Sequence, residues 1–194
     1  MGYHVFEREQ VLELPLDDVF KFVSSAQNLA RITPSSLEIR FEGEPPAELS
    51  VGAEIRYRLK ISGVPVKWTT RITEWDPPYR FADLQARGPY AYWLHTHSFA
   101  ALDEGRTLMR DRVIYRVPYG VLGEVARRAF VRAQLRHIFA YRELAFDAVL
   151  RGEDPPPPAP ARVPGKALAA LAAAAAAALV VARSRRGSRL RPGR

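Results

Sequence analysis

The 194-residue chain contains no cysteine, which excludes disulfide bonds, thiolate catalysis and cysteine-ligated metal or iron–sulfur sites. Its N-terminus, MGYHVFEREQ, lacks the apolar core of a secretory signal and carries charged residues almost at once. Both absences are typical of a protein in a reducing compartment, and we expect the protein to be cytoplasmic.

Acidic residues are absent after Asp154, and this absence explains the charge of the whole chain. The formal net charge is +8, yet the first 154 residues contain 21 basic and 21 acidic residues. The excess consists of eight basic residues in the C-terminal tail. Because the preceding part is neutral overall, it lacks the basic surface that nucleic-acid binding requires, and we expect no nucleic-acid partner.

The start of the chain predicts a strand followed by two short helices. Apolar residues alternate loosely through residues 3–14, as in a long strand. Leu16–Ser24 has apolar residues at helical spacing, with Pro15 before it and two aspartates in its first turn. A second short helix is predicted near Gln27–Ile32 and ends before Pro34.

Six further strands and one long helix are predicted after this region. Apolar and polar residues alternate in four segments, and a hairpin over Gly88–Gly120 supplies two more strands. No proline interrupts Val121–Leu150, a segment of strong helix formers that would be about 45 Å long as a helix. We therefore predict an α+β fold in which a curved seven-stranded antiparallel sheet surrounds the helix and leaves a cavity between them. The four alternating segments are Leu37–Phe41, Ile55–Ile61, Val66–Ile72 and Tyr79–Arg87.

The hairpin determines which side chains share the inner face of the sheet. Its turn lies at Asp103-Glu104-Gly105, where we expect glycine to supply the left-handed conformation of a bulged three-residue loop. Leu102 then faces Arg106, and the same register fixes every other pair. The inner face combines aromatic and polar side chains, which is typical of the wall of a small-molecule site. Its pairs are Trp93 with Tyr115, His95 with Val113, His97 with Asp111, and Phe99 with Met109.

Histidines and aspartates on this face are the candidate chemical groups. His95 and His97 are two residues apart on a strand and therefore share a face, with Asp111 opposite His97. Three arrangements remain open: a His97–Asp111 pair that satisfies itself in the cavity wall, a metal site, or a register that exposes one of the two groups to water. We assign no metal ligand, because two histidines and one aspartate in an inferred register do not define a metal site.

Asp83, Gln85 and His95 form a second candidate cluster, because the fifth and sixth strands are joined through Gly88-Pro89. Such a cluster could transfer a proton in an aldol-type cyclisation or a dehydration. It could equally orient the polar head group of a ligand or complete a hydrogen-bond network of the fold. We assign no catalytic residue, and the candidates for that role are His95, His97, Asp83 and Asp111.

Six aromatic residues lie on the inferred inward faces and serve either as core or as ligand contacts. On the long helix, Arg142 follows an apolar stretch that includes Phe139. It either pairs with a carboxylate inside the fold or extends to the rim of the cavity. The predicted ligand-binding residues are Tyr57, Trp68, Phe81, Asp83, Gln85, Trp93, His95, His97, Phe99, Asp111, Tyr115, Phe139 and Arg142.

The C-terminal region divides into a linker and a tail. Residues 153–166 are proline-rich and predict a semi-rigid linker. Residues 167–194 consist of an alanine-rich apolar segment and a basic end. As a helix the apolar segment would span about 24 Å, short of a hydrocarbon core of about 30 Å. A short tail anchor and a solvated tail remain open, and the basic end favours association with an anionic membrane surface.

Five segments of the chain carry a family resemblance: ITPSSLEIRF, GVPVKWTTRI, FADLQARGPYAYWLHTHSF, MRDRVIYRVPYG and RHIFAYRELAF. They resemble a mostly uncharacterised bacterial subgroup of the SRPBCC superfamily, which includes the START, Bet v 1-like and polyketide cyclase/dehydrase-like proteins. The resemblance covers residues 3–150 and implies the helix-grip fold, with one START-like ligand-binding domain over residues 1–152. The superfamily hosts carriers of lipids and coenzyme Q, hormone receptors and cyclases, so the resemblance implies the fold more strongly than the function.

We expect the protein to bind or carry a hydrophobic small molecule, such as a lipid, an isoprenoid quinone or a polycyclic aromatic, and to be no enzyme. One alternative is a cyclase or dehydratase-like enzyme that uses His95, His97 and a carboxylate; another is a non-catalytic accessory protein. We expect no cofactor, and the oligomeric state stays open. A carrier needs a large apolar cavity, an enzyme needs the polar cluster exposed to that cavity, and an accessory protein could have it filled.

Overall fold

A computed structural model describes residues 2–61, 63–118 and 120–158. These residues form a curved seven-stranded antiparallel sheet, with the strand order β1-β7-β6-β5-β4-β3-β2, and a C-terminal helical region. The predicted α+β architecture is confirmed. The strands are β1 (His4–Leu12), β2 (Arg40–Phe41), β3 (Glu54–Ile61), β4 (Val64–Asp76), β5 (Arg80–Arg87), β6 (Tyr92–Ala101) and β7 (Thr107–Arg116). The helices are α1 (Leu16–Val23), α2 (Gly120–Ala126) and α3 (Arg132–Leu150), with 3-10 turns at Ala26–Ala30 and Ser35–Leu37.

Alternation along the strands gives the sheet one buried face. In β3, Ile55, Tyr57 and Leu59 are buried, whereas Arg56 and Arg58 between them are exposed. Successive side chains of a strand point to opposite faces, so β3 turns its apolar set inward and its arginines to solvent.

The β6–β7 hairpin has the predicted register, and all four predicted pairs of its inner face are present. The expected role of Gly105 is wrong, because its backbone is not left-handed. Asp103 closes the turn instead: its Oδ1 accepts a hydrogen bond from the Gly105 N–H at 3.1 Å, and its Oδ2 accepts one from Arg106 Nε at 2.7 Å. An aspartate that binds the backbone two residues further on stabilises a turn without requiring a glycine.

The region before β3 contains less strand than its alternating pattern predicts. Residues Ser35–Leu37 form a 3-10 turn, and Glu38 has a left-handed φ of 42°. A left-handed residue cannot continue an extended segment. Only Arg40–Phe41 therefore pairs with β3, and the predicted strand over Leu37–Phe41 is reduced to two residues.

The C-terminal helix is interrupted, although its sequence predicts an unbroken helix over Val121–Leu150. A π-helical turn at Arg127–Val131 separates α2 from α3. Such turns insert a residue into an otherwise regular helix. Phe130 and Val131 are both buried and pack with Val113 and Tyr115 of β7, which indicates that the wider turn lets two consecutive side chains face the sheet.

One end of the interior, between the sheet and the helices, is filled with packed apolar side chains. Helix α1 and the C-terminal half of α3 pack there against β5, β6 and β7. The first half of α3 packs on β7 through Leu135 and Phe139, and it also borders a cavity. The buried residues of the filled end are Leu12, Val19, Phe20, Ile32, Phe81, Phe99, Met109 and Phe146.

The predicted linker and tail are described only in part. Residues 153–158 follow α3 without regular secondary structure. The rest of the linker and the whole predicted membrane-associated tail lie outside the described residues, so both stay predictions. Within the described ranges, no helix is both long and apolar enough to cross a membrane.

Candidate ligand-binding site

A cavity of about 180 Å³ lies between the inner face of the sheet and α3. Strands β3 to β6 form one wall, the first half of α3 forms the opposite wall, and the segments between β1 and β3 contribute further apolar side chains. Aliphatic and aromatic residues make up most of the lining. Tyrosines apart, the ionisable side chains of the lining in the described part of the chain are Asp83, His95, His97 and Arg142.

Four aromatic side chains form a continuous wall of this cavity. Tyr57 stacks on Trp68 with 6.3 Å between ring centroids, Trp93 meets Trp68 edge-on at 5.4 Å, and Tyr90 lies 4.7 Å from Trp93. Thr70 Oγ1 accepts a hydrogen bond from Trp68 Nε1 at 3.1 Å and lies 3.4 Å from the Tyr57 hydroxyl. Burial raises the pKa of Tyr57 and of Tyr90 far above the ordinary value of 10.0, so both rings stay neutral. We call these four residues the aromatic wall.

Two histidines of β6 converge on one carboxylate of β7. Asp111 Oδ1 lies 2.9 Å from His95 Nε2, which forms a hydrogen bond with it, and 2.8 Å from His97 Nδ1. His97 Nδ1 is within ion-pair distance of this oxygen, but the two groups are not aligned for a hydrogen bond. The predicted contact of His97 with Asp111 is present, but the hydrogen bond of this carboxylate goes to His95, and His97 Nδ1 has no hydrogen-bond partner. All three side chains are buried.

Asp83 approaches the same two histidines from the cavity side. It lies opposite His95 in the β5–β6 pairing, and its Oδ2 is 3.4 Å from His97 Nε2 and 3.8 Å from His95 Nδ1. Phe81, also on β5, stacks on the His97 ring at 4.3 Å. Each histidine therefore turns one nitrogen to Asp111 and the other to Asp83, and these four residues form the His–Asp cluster.

The two histidines of the His–Asp cluster have opposite pKa shifts. Burial alone lowers the pKa of His97, but its close contacts with Asp111 and Asp83 outweigh burial and raise that pKa above 6.5. The pKa of His95 is lowered, because burial and the positive charge of His97 act together against protonation. Burial would raise the pKa of Asp111, but the hydrogen bond with His95 and the close contact with His97 hold it well below its ordinary value. The His–Asp cluster therefore favours protonation of His97 over protonation of His95 and keeps Asp111 ionised.

The donor set of the cluster could also coordinate a cation. One ligand atom from each of Asp83, His95 and His97 lies within 4.8 Å of the others. Two histidines and a carboxylate are a common set for divalent transition metals, and Asp111 would orient the rings from behind. The sequence assigned no metal ligand, and that assignment stays a prediction.

Arg142 enters the cavity from α3. It is 9% exposed, and its guanidinium carbon lies 5.0 Å from the centre of the Phe139 ring. Its Nε is buried without a hydrogen-bond partner, and no carboxylate of the described residues forms an ion pair with it. Neither predicted arrangement is present, because Arg142 does not pair with a described carboxylate and does not extend into solvent.

Nine of the thirteen predicted ligand-binding residues line the cavity and four do not. Gln85 binds the backbone of Tyr90 at both ends of its amide, at 2.9 and 3.3 Å, and so supports the loop before β6. Phe99 packs in the filled end of the interior, and Tyr115 packs beneath the π-helical turn. Asp111 lies behind the two histidines, so it acts on the cavity only through them.

The cavity also has lining residues that the sequence did not single out. Tyr90 belongs to the loop before β6, where no periodicity reports on burial. Leu135 and Ile138 lie on the same face of α3 as Arg142. Their spacing from Arg142, seven and four residues, is the helical signal that could have identified them.

A family model described as polyketide cyclase / dehydrase and lipid transport matches residues 3–143. No curated protein matches the chain significantly in sequence.

Several solved structures share the fold. The Zhui aromatase/cyclase from Streptomyces sp. R1128 is 18% identical, with a TM-score of 0.63 over 77% of this chain and 94% of that one. A START superfamily protein from Mycobacterium smegmatis is 12% identical, with a TM-score of 0.59 over 77% of this chain and 99% of that one. A norcoclaurine synthase from Thalictrum flavum, in complex with dopamine and hydroxybenzaldehyde, is 13% identical, with a TM-score of 0.56 over 78% and 89%. At these identities the similarity shows the fold alone.

Proposed function

Because the chain belongs to the polyketide cyclase/dehydrase and lipid transport family, we propose that it binds or carries a hydrophobic small molecule in the cavity between the sheet and α3. The aromatic wall carries this proposal. Its rings border an open space, and the polar atoms of Tyr57 and Trp68 are already partnered by Thr70. Such a surface favours an apolar ligand, because binding removes the rings from water and breaks no hydrogen bond at these two residues.

The volume of the cavity limits the size of the ligand. A cavity of about 150 Å³ in another protein holds one benzene molecule. The 180 Å³ found here therefore suits one or two fused rings. Of the three ligand classes expected from the sequence, a compact aromatic fits without rearrangement, whereas a lipid or an isoprenoid quinone requires the cavity to widen.

Native mass spectrometry of the purified full chain, followed by solvent extraction, tests this proposal. We expect a hydrophobic adduct at near-stoichiometric level, which extraction recovers in identifiable form. A clean apo mass, together with no thermal shift from a panel of lipids, quinones and aromatic compounds, would overturn it.

A second candidate function is catalysis of a cyclisation or dehydration. The observation that favours it is that Asp83, His95 and His97 border the cavity and that the Asp83 carboxylate contacts both imidazoles. A ligand in the cavity would lie against a group able to give and take a proton. Incubating the extracted ligand with wild type and with His97→Gln distinguishes the two functions. Conversion by the wild type alone supports catalysis, and an unchanged ligand with both proteins supports binding.

Two further proposals concern the rest of the chain. An accessory protein would need no cavity, so the open space makes that alternative the weakest. We also propose a cytoplasmic protein whose basic tail associates with anionic membranes, from the charge of residues 167–194. Flotation with vesicles rich in phosphatidylserine tests the latter: the full chain should float and a chain ending at residue 158 should not, and equal behaviour of both would contradict it.

A further inference from the structure

Arg142 is the charged residue of the cavity that binding of a purely apolar molecule leaves unexplained. Its side chain lines the cavity next to Ile138 and Phe139, on the inner face of α3. It is nine-tenths buried, and its Nε lacks a hydrogen-bond partner. This position is unusual for arginine, which is almost never fully buried unless it is paired.

An arginine guanidinium stays positively charged in proteins, even where it is buried. A cation removed from water without a counter-ion is strongly unfavourable. The guanidinium lies over the Phe139 ring, but a ring face gives a cation only part of the stabilisation that water or a carboxylate would give.

The carboxylate that shares the cavity is already engaged. Asp83 Oδ2 lies against His97 and His95, at 3.4 and 3.8 Å, and forms no ion pair with Arg142. Asp111 is held behind the histidines. In the described part of the chain, the counter-ion of Arg142 is therefore missing, and an anion from outside can supply it.

We propose that Arg142 binds the carboxylate of an aromatic acid whose one or two rings lie against the aromatic wall. This inference rests on the proposed function and names the chemical class of its ligand. Phe139 lies against the guanidinium, and Nε is closed off from the surface, so the ligand would bind the edge formed by the two terminal nitrogens Nη1 and Nη2. The N–H groups of that edge match the two oxygens of a carboxylate. The cavity volume of about 180 Å³ sets the limit on the rings.

Matched pairs of ligands test the inference. Benzoate and 2-naphthoate carry the carboxylate, and benzamide and 2-naphthamide are their uncharged counterparts of nearly the same shape. Calorimetry with the full chain should give a Kd for the better-fitting acid that is lower than that of its amide by about tenfold or more, as expected for a charge-assisted hydrogen bond in a buried site.

Substitution of the arginine should remove this preference and leave binding of the ring intact. In Arg142→Gln, we expect the amide to bind about as in wild type and the acid to bind no better than the amide. Arg142→Lys keeps the charge but not the planar edge, so it should retain a reduced preference for the acid over the amide. It replaces Arg142→Gln in this test if that variant does not fold. Arg136→Gln, an exposed arginine of the same helix, is the matched control and should keep the wild-type preference.

The outcomes separate this inference from the proposed function. If acid and amide bind wild type equally well, the carboxylate assignment is overturned and binding of a hydrophobic molecule stands. If the preference survives in Arg142→Gln, another group binds the anion and the inference is wrong. If none of the four compounds binds, the ligand is not an aromatic acid of this size. Native mass spectrometry of the full chain then shows separately, by the presence or absence of an adduct, whether the protein carries a ligand at all.

Discussion

The carboxylate of Asp111 holds the imidazole of His95 across the β6–β7 pairing, with Oδ1 and Nε2 2.9 Å apart and both side chains buried. His97 reaches the same oxygen at 2.8 Å, so one aspartate fixes both rings. Because His95 Nε2 and His97 Nδ1 lie at Asp111, the other ring nitrogens, His95 Nδ1 and His97 Nε2, face Asp83 at the cavity. Asp111 is a positioning residue, since it acts on the cavity through the histidines.

Loss of the Asp111 charge should destabilise the fold. Asp111→Asn keeps the shape of the side chain but removes the negative charge that two buried imidazoles share. Breaking a buried pair by neutralising one partner costs about 3–5 kcal/mol, because the other partner stays buried without compensation. We expect a loss in the free energy of unfolding of about 3 kcal/mol, measured by urea denaturation.

An exposed aspartate of the same hairpin provides the control for this substitution. Asp103 pairs with Arg106 in the solvent-exposed turn, and an exposed ion pair contributes about 1 kcal/mol or less. Asp103→Asn keeps the oxygen that caps Gly105, so its effect should be small. Equal losses in the free energy of unfolding for the two substitutions would show that the buried contacts of Asp111 stabilise the fold no more than the exposed pair of Asp103.

The stability of the protein should depend on pH through His97. Its pKa is raised above 6.5 in the folded state, so the stability it contributes is fully present below pH 6.5 and is lost as the pH rises through the folded pKa. The advantage of wild type over His97→Gln in the free energy of unfolding should therefore shrink as the pH rises from about 6 to about 9. Urea denaturation at several pH values checks this, and parallel curves for the two proteins would contradict it.

Titration of the imidazole NMR signals gives an independent readout of the same cluster. His97 should titrate above 6.5 and His95 below it, because the first proton on the pair opposes the second. Asp111 acts in the acid range: its lowered pKa contributes stability above its ordinary value of 3.8, and that stability is lost as the pH falls through the folded pKa. Two histidines that titrate together near 6.5 would mean that the cluster is not formed.

Removing the charge of Arg142 should not harm the ligand-free protein. Arg142→Met keeps the length of the side chain and replaces an unpaired buried cation by an apolar group. We expect the free energy of unfolding of the apo protein to stay the same or to rise by about 1 kcal/mol, as is common when a binding residue is given up. Thermal and urea denaturation of apo protein measure it.

Arg127, which has a carboxylate partner, provides the control for the Arg142 substitution. Arg127 donates three hydrogen bonds to the Glu124 carboxylate, at 3.0, 2.9 and 2.6 Å, so Arg127→Met should destabilise the fold. A loss of about 3 kcal/mol or more in Arg142→Met would mean that Arg142 has a structural partner, and its role in ligand binding would fail with it.

The sequence predicted the sheet well because its determinants are local. The alternation of apolar and polar residues predicts β3 and the central part of β4. A short turn fixes the β6–β7 register, which brings His97 and Asp111 together. The register did not depend on the reason first given for it: Asp103, rather than Gly105, closes the turn. Several turn chemistries produce the same pairing, so the register is easier to predict than its cause.

The parts that sequence could not predict depend on contacts between distant elements. The amide of Gln85 binds the Tyr90 backbone, which no periodicity reports. The π-helical turn arises where Phe130 and Val131 pack together on β7. The missing counter-ion of Arg142 becomes visible only when every carboxylate around the cavity has been located.

The central claim is that the cavity itself binds the ligand, and filling it tests that claim most directly. Ile138 lines the cavity on α3, whereas Leu144 lies on the same helix and is 57% exposed. Ile138→Trp should fill the space at a cost of about 1–3 kcal/mol in stability, which a folded domain tolerates, and Leu144→Trp should leave it open. We would measure binding of 2-naphthamide, or of the ligand recovered by extraction, to both variants by calorimetry. Loss of binding in Ile138→Trp alone is the result we predict, and wild-type binding in both variants would contradict a ligand site in this cavity.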